Sequence, residues 1–253
     1  MQPDKQAASS RRMNEPSPGI AHSPEGRPQP SAPTASEAAR YGVLRRLGPA
    51  LKHDMVVNLQ AVAMMSEVLG AKLERGLPSQ TELQNSVARI HRMAREAVAN
   101  CLKVVGWIEP AEDEGISLRE GVEESLALVR SNFNFRGFTL ATELPANDLE
   151  VSRVLLRHLL LASLIHLTDR ASGPGALLVS GEISGGSVLL TVSFESDPEG
   201  EATPFEAGYR QLEWADVEAL AAAESIQLQQ EKDRVRIRLP RMVATTPLQI
   251  APL

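Results

Sequence analysis

Leu51-Lys52-His53-Asp54-Met55-Val56-Val57-Asn58-Leu59-Gln60 is the stretch on which the reading of this chain turns. Leu51, Met55 and Leu59 recur every four residues, and Leu44 and Leu47 before them and Val62, Leu69 and Leu73 after them extend the stripe. Steps of three and four keep one helical face apolar, so a helix is expected over residues 36–75, with a break or kink at Pro49. His53 lies about 200° round that helix from Leu51, which turns its imidazole away from the apolar seam with Asp54 beside it.

Gly76-Leu77-Pro78 ends the first helix, and Ser79 with Glu82 three residues on opens a second through a capping box. Its stripe is Leu83, Val87, Ile90, Ala94, Ala97, Cys101, Val104 and Ile108. Two long helices and a short turn make an antiparallel hairpin. One hairpin cannot cover both of its seams, so pairing with a second copy into a four-helix bundle, a homodimer, is expected. Cys101 on that seam reads as a small core residue.

An acidic linker, 109–115, leads to a second unit. Ser117 and Glu120 form another capping box before a helix to about residue 130. A strand is expected near 137–144, a helix at 151–168, and a hairpin of 176–183 with 187–194 around Ser184-Gly185-Gly186. A helix near 211–223 and strands near 226–230 and 234–239 close the chain, and Val235, Ile237 and Leu239 alternate with arginines as in a strand covered on one face. The expected fold class is α plus α/β: a long helical hairpin at 36–109, then an α/β sandwich at 116–241.

Residues 1–33 are rich in Pro, Ser, Ala, Gln and Gly, and a disordered tail is expected over 1–35, with a second tail at 242–253. No apolar core of a secretory signal is present in that tail, and no membrane span is expected. A single cysteine excludes an intrachain disulfide and suits a reducing cytoplasm. A net charge of -6 argues against nucleic acid as a partner, and no Cys/His spacing suggests a metal site.

With His53-Asp54 in such a hairpin and that order of elements behind it, the chain resembles two-component histidine kinases, over about residues 36–240. The hairpin is similar to their dimerisation and phosphotransfer domain, and the second unit to their ATP-binding domain. That resemblance implies a phosphoacceptor at His53. It also implies an Asn on the long helix to hold magnesium, but the matching position is Ala162 and an earlier Asn position is His158. A methyl group offers magnesium no oxygen. Where the family carries Asp-x-Gly-x-Gly, this chain has Asp197-Pro198-Glu199-Gly200, and the Gly-rich run before the last helix reads Tyr209-Arg210-Gln211-Leu212-Glu213-Trp214. Productive ATP binding is therefore not expected, and the chain looks like the histidine phosphotransferases built on a degenerate kinase scaffold.

The implied chemistry is a relay of phosphate between His53 and the aspartate of response-regulator receiver domains. Asp54 would orient the ring or take its proton, and Lys52 would draw in the phosphoryl group. No resident cofactor is expected, and any magnesium would come with the receiver. Val57 stands where the family commonly has a Thr or Asn that positions a hydrolytic water, so phosphatase action is disfavoured. Val57 and Met64 share the side of His53 and suit partner docking. Arg89, His91, Arg92 and Arg95 of the second helix read as a solvated basic face. Two alternatives stay open: a non-catalytic dimeric scaffold, and an active kinase with a divergent nucleotide site.

Overall fold

Helix α1, Ala32–Arg75, is a single run of 44 residues. It passes through Pro49 unbroken, although the proline ring removes one backbone donor and so one bond of the helical ladder. The computed structural model describes residues 32–108, 114–147, 149–200 and 208–242. The helix starts before the expected boundary, so residues 32–35 belong to it. Pro33 is tolerated there because a first-turn N–H has no helical partner, and its carbonyl accepts the Ser36 hydroxyl at 2.9 Å. The rest of the expected N-terminal tail lies outside the described residues.

Helix α2, Gln80–Ile108, returns antiparallel to α1. The Ser79 capping box is formed in both directions: Ser79 N–H donates to Glu82 Oε2 at 3.0 Å, and Glu82 N–H donates to Ser79 Oγ at 3.3 Å. The α1 seam runs through Leu51, Met55, Asn58, Val62, Met65 and Leu69. Leu59, expected in it, is 52% exposed, and Leu73, Leu83 and Val87 are exposed too. Two successive steps of four carry Leu59 about 80° off Leu51, so a seam that alternates four and three selects Asn58 instead.

The second unit pairs β1, Gly115–Ser117, antiparallel with β3, Glu150–Ser152. Strands of three residues carry no readable alternation, and both were missed: β1 takes the end of the expected linker, and β3 the start of the expected helix. Residues 109–113 of that linker lie outside the described residues. Helix α3, Leu118–Phe135, begins at Ser117, whose hydroxyl accepts from Glu120 N–H at 3.2 Å. It runs five residues beyond the expected end and gives way to β2, Phe138–Glu143, through Gly137 at φ +80°, a conformation suited to glycine.

Helix α4, Arg153–Arg170, precedes the hairpin of β4, Gly175–Ser184, and β5, Ser187–Ser196. Gly185, at φ +59°, and Gly186 make the turn, as the sequence indicates. Helix α5, Trp214–Ala223, then leads to β6, Gln227–Glu231, and β7, Arg234–Pro240. The main sheet has the order β2-β4-β5-β7-β6, with β2 and β4 parallel and the other pairs antiparallel. Leu177, Val179, Val188, Leu190, Val192, Val235, Ile237 and Leu239 form its buried face and share one core with α3, α4 and α5. Arg241 and Met242 still pair with the β3 strand, so residue 242 does not belong to a tail, and the rest of the expected C-terminal tail lies outside the described residues.

Helix α1 joins both parts. Ala39, Val43, Leu47 and Leu51 are buried and belong to the core of the α/β unit, whereas no residue of the most apolar eighteen-residue window of α1 is buried. By length and composition that helix could also cross a membrane.

Candidate functional site

His53 and Asp54 sit just beyond Leu51, the last buried residue of α1. Their side chains are 74% and 60% exposed, and His53 Nδ1 lies 3.3 Å from Asp54 Oδ1. In the tautomer that directs the Nδ1 hydrogen at that carboxylate, the ring lone pair is on Nε2. One turn on, the Asn58 amide donates to the Asp54 carbonyl at 2.9 Å. Lys52 is exposed as well, about 100° round the helix from His53.

Val57 and Met64 are 46% and 59% exposed, and neither lies beneath the α/β unit. With Val68 they fall within roughly 60° of His53 on the helix surface and make an apolar ridge below it. On the same side of the hairpin α2 presents Arg89 and Arg92, both exposed. His91 does not belong to that basic group. It lies about 100° from Ile90 round α2, on the side of the exposed Val87, Val98 and Val105.

That side is a second apolar face. On α1, Val56, Leu59 and Ala63 lie roughly 100° clockwise from the seam. On α2, Val98, Leu102 and Val105 are turned a similar amount from theirs. In an antiparallel pair, equal turns bring both sets to one side of the hairpin. All but the small Ala63 are exposed large hydrophobics.

The face of α4 that carries residues 158 and 162 is filled from within. Ala162 is fully buried and His158 nearly so. Burial first, then the charges of Arg157 and Arg40, lower the His158 pKa to about 3, so it is neutral. The Arg46 guanidinium of α1 grips the Asp169 carboxylate of α4, with Nη1 at 3.0 Å from Oδ1 and Nη2 on Oδ2. Arg136 stands 3.8 Å from the same carboxylate.

Residues 209–214 are held down on these groups. Leu212 N–H donates to Asp169 Oδ2 at 2.9 Å, and the Gln211 amide donates to the Asp169 carbonyl at 3.1 Å. The Leu212 carbonyl meets His166 Nδ1 at 2.9 Å, and the Tyr209 ring centre lies 4.3 Å from the Arg46 guanidinium carbon. Arg210 makes a bidentate pair with Asp216 at 2.6 Å on both arms. Leu212 is buried so close to α1 that a Cβ on Gly42 would stand 3.1 Å from its Cδ1.

Asp197 is exposed and closes a local turn, accepting Glu199 N–H on Oδ1 at 3.0 Å. Gly200 is required by packing, since a Cβ there would come within 2.3 Å of Pro174 Cγ. The sequence reading singled out neither Arg46 nor Asp169. Both look like helix-surface charges in the sequence, and they are 123 residues apart. Among the described residues, no group of three or more His, Cys, Asp or Glu side chains could hold a metal ion.

No family model matches the chain, and no curated protein does. Solved structures show distant likenesses. The histidine kinase AdeS of Acinetobacter baumannii is 16% identical, with 74% of this chain and 97% of that one covered, at a TM-score of 0.40. A bacterial phosphotransferase is 17% identical over 81% of this chain and 97% of its own, at 0.35. The histidine kinase ThkA, in complex with the response regulator TrrA, is 14% identical over 81% and 64%, at 0.39. Likenesses this distant decide nothing about activity, which has to be argued from the residues.

Proposed function

We propose that this protein relays phosphate between His53 and the aspartate of a receiver domain, as a homodimer and without using ATP. One observation carries the reading. The helix that exposes His53-Asp54 uses its preceding turns to fill the α4 face where a kinase of this element order would hold nucleotide. Ala39 and Val43 are buried, and Arg46 and Asp169 close the gap. A phosphohistidine site is left reachable while the means of charging it from ATP is occupied.

In the transfer, the Nε2 lone pair attacks the phosphorus of the receiver's aspartyl phosphate. The P–O bond to that aspartate breaks, the carboxylate leaves with the bond pair, and a phosphoramidate forms on His53. The ring becomes cationic as Nε2 bonds to phosphorus, and the Asp54 carboxylate at Nδ1 stabilises that charge or accepts the proton. Catalysis of such a step is mainly alignment and charge stabilisation, to which Lys52 adds a cation near the incoming group. Magnesium would be brought by the receiver. Val57 offers no hydrogen bond to a water, so transfer is favoured over hydrolysis.

Docking would use the ridge of Val57, Met64 and Val68 with Arg89 and Arg92 beside it. Dimerisation would cover the opposite apolar face, which is too large to be left in water on a single hairpin.

The test is incubation with phosphate-labelled receivers of the source organism. Label should appear on wild-type protein, be absent from His53→Ala, and fail to appear when ATP-magnesium replaces the receivers. If no receiver exchanges label with the wild type, the relay fails and the dimeric scaffold remains. Label from ATP on His53 would return the chain to the kinases.

A further inference from the structure

Asp54 faces two ways: toward His53, and into a cleft of about 160 Å³ where the hairpin meets the α/β unit. Leu51 and Asn100 line its hairpin side; Glu124, Ala127 and Leu128 of α3 and Arg157 of α4 line the other. We infer that this cleft is the second half of the receiver's docking site, taking one apolar side chain of the receiver flanked by a basic residue. The inference rests on the relay reading and extends it off the hairpin onto α3.

Size argues against a small molecule. Nucleotide and cofactor pockets are commonly about 300–1,000 Å³, whereas this cleft has room for a single large side chain. Leu51, Ala127 and Leu128 give that side chain apolar walls. The polar groups are already fixed: Arg157 Nη2 donates to the Gly106 carbonyl at 2.9 Å, and Glu124 receives Arg153 at 2.7 Å. A cleft whose walls are held before binding costs little to fill.

Position argues for the receiver. The Asp54 carboxylate that lines the cleft is the one 3.3 Å from the His53 ring. A protein that presents a phosphoryl group to Nε2 therefore covers the mouth of the cleft as well. Charge sets the orientation. The α3 end of this surface carries Glu120, Glu123 and Glu124, and the hairpin end carries Arg89 and Arg92. A partner with a basic patch beside its apolar knob and an acidic patch further along fits in one direction only.

The experiment measures transfer from labelled phospho-receiver against receiver concentration. Ala127 is exposed, so Ala127→Arg fills the cleft rim without disturbing the core. Ser131→Arg, one turn further along α3 and outside the cleft lining, is the control, and Val57→Asp probes the hairpin ridge. Ala127→Arg should raise the half-saturating receiver concentration about tenfold or more while the rate at saturation stays within about twofold. Ser131→Arg should match the wild type.

An unchanged half-saturation for Ala127→Arg, with Val57→Asp impaired, overturns the cleft and leaves a relay that docks on the hairpin alone. A lowered saturating rate at unchanged half-saturation also overturns it, since the cleft would then act by positioning His53. A wild type that transfers nothing removes the relay reading itself, whatever Ala127→Arg does.

Discussion

The two halves of α1 have the same helical period and opposite fates. Residues 32–51 bury Ala39, Val43, Leu47 and Leu51 in the core of the α/β unit and are clamped by Arg46 on Asp169. Residues 52–75 bury nothing fully and expose Val56, Val57, Leu59, Met64, Val68 and Leu73. The first half is an anchor and the second a surface. His53 comes two residues after the last anchored leucine, where the helix is held from one side and open on the others. Amphipathic period says that a face is apolar, and it leaves open what covers that face.

The clamp gives the largest effect with which to break this contrast. Asp169→Ala leaves the Arg46 and Arg136 guanidiniums facing each other in a buried site, and should cost about 3–5 kcal/mol in denaturant unfolding. A loss below about 1 kcal/mol would show that the clamp does not anchor α1. Leu47→Ala empties a fully packed position and should cost about 2–5 kcal/mol. Leu59→Glu, only three turns further along the helix, should instead halve the mass seen by light scattering while leaving the unfolding of the α/β unit in place. A wild type that is monomeric at micromolar concentration would remove the dimer and with it this half of the comparison.

Acid should act on the anchored half. His158 is neutral in the fold, with its pKa at about 3, whereas an unfolded histidine titrates near 6.5. Between those values the unfolded chain takes up a proton that the folded chain refuses. Stability is therefore unaffected above about pH 6.5 and falls as pH drops toward 3, by up to roughly 1.4 kcal/mol per unit. Burial of His166 lowers its pKa and pushes in the same direction. Unfolding measured from pH 7 to 4 should show a shallower decline for His158→Gln than for the wild type. The smallest effect belongs to the free half: His53→Ala should leave stability within about 0.5 kcal/mol of the wild type, because its ring packs on nothing, while removing transfer.

Much of this was legible before any coordinates. The Ser79-Glu82 and Ser117-Glu120 pairs mark helix starts that the structure keeps, and Gly185-Gly186 marks the hairpin turn. The period-two alternation of Val235, Ile237 and Leu239 marks a strand with one covered face. What failed did so where the signal is short or degenerate. Strands β1 and β3 have three residues each, too few for alternation to show. Residues 211–213 look helical, yet they lie outside the helix, where Leu212 binds Asp169 through its backbone. Leu59 was placed in the seam because a step of four and a step of three are equally helical.

The sequence by itself determined the hairpin, the outward position of His53 and which residues stand at 158, 162, 197–200 and 209–214. Each of these depends on spacing along one helix or on residue identity at one position. Only the tertiary structure decided that α1 packs on α4 and α5, that Arg46 and Asp169 lock it there, and that Asp54 borders a cleft built with α3. Those facts join residues more than a hundred positions apart or on different elements, and local period and propensity carry no term for distance through space.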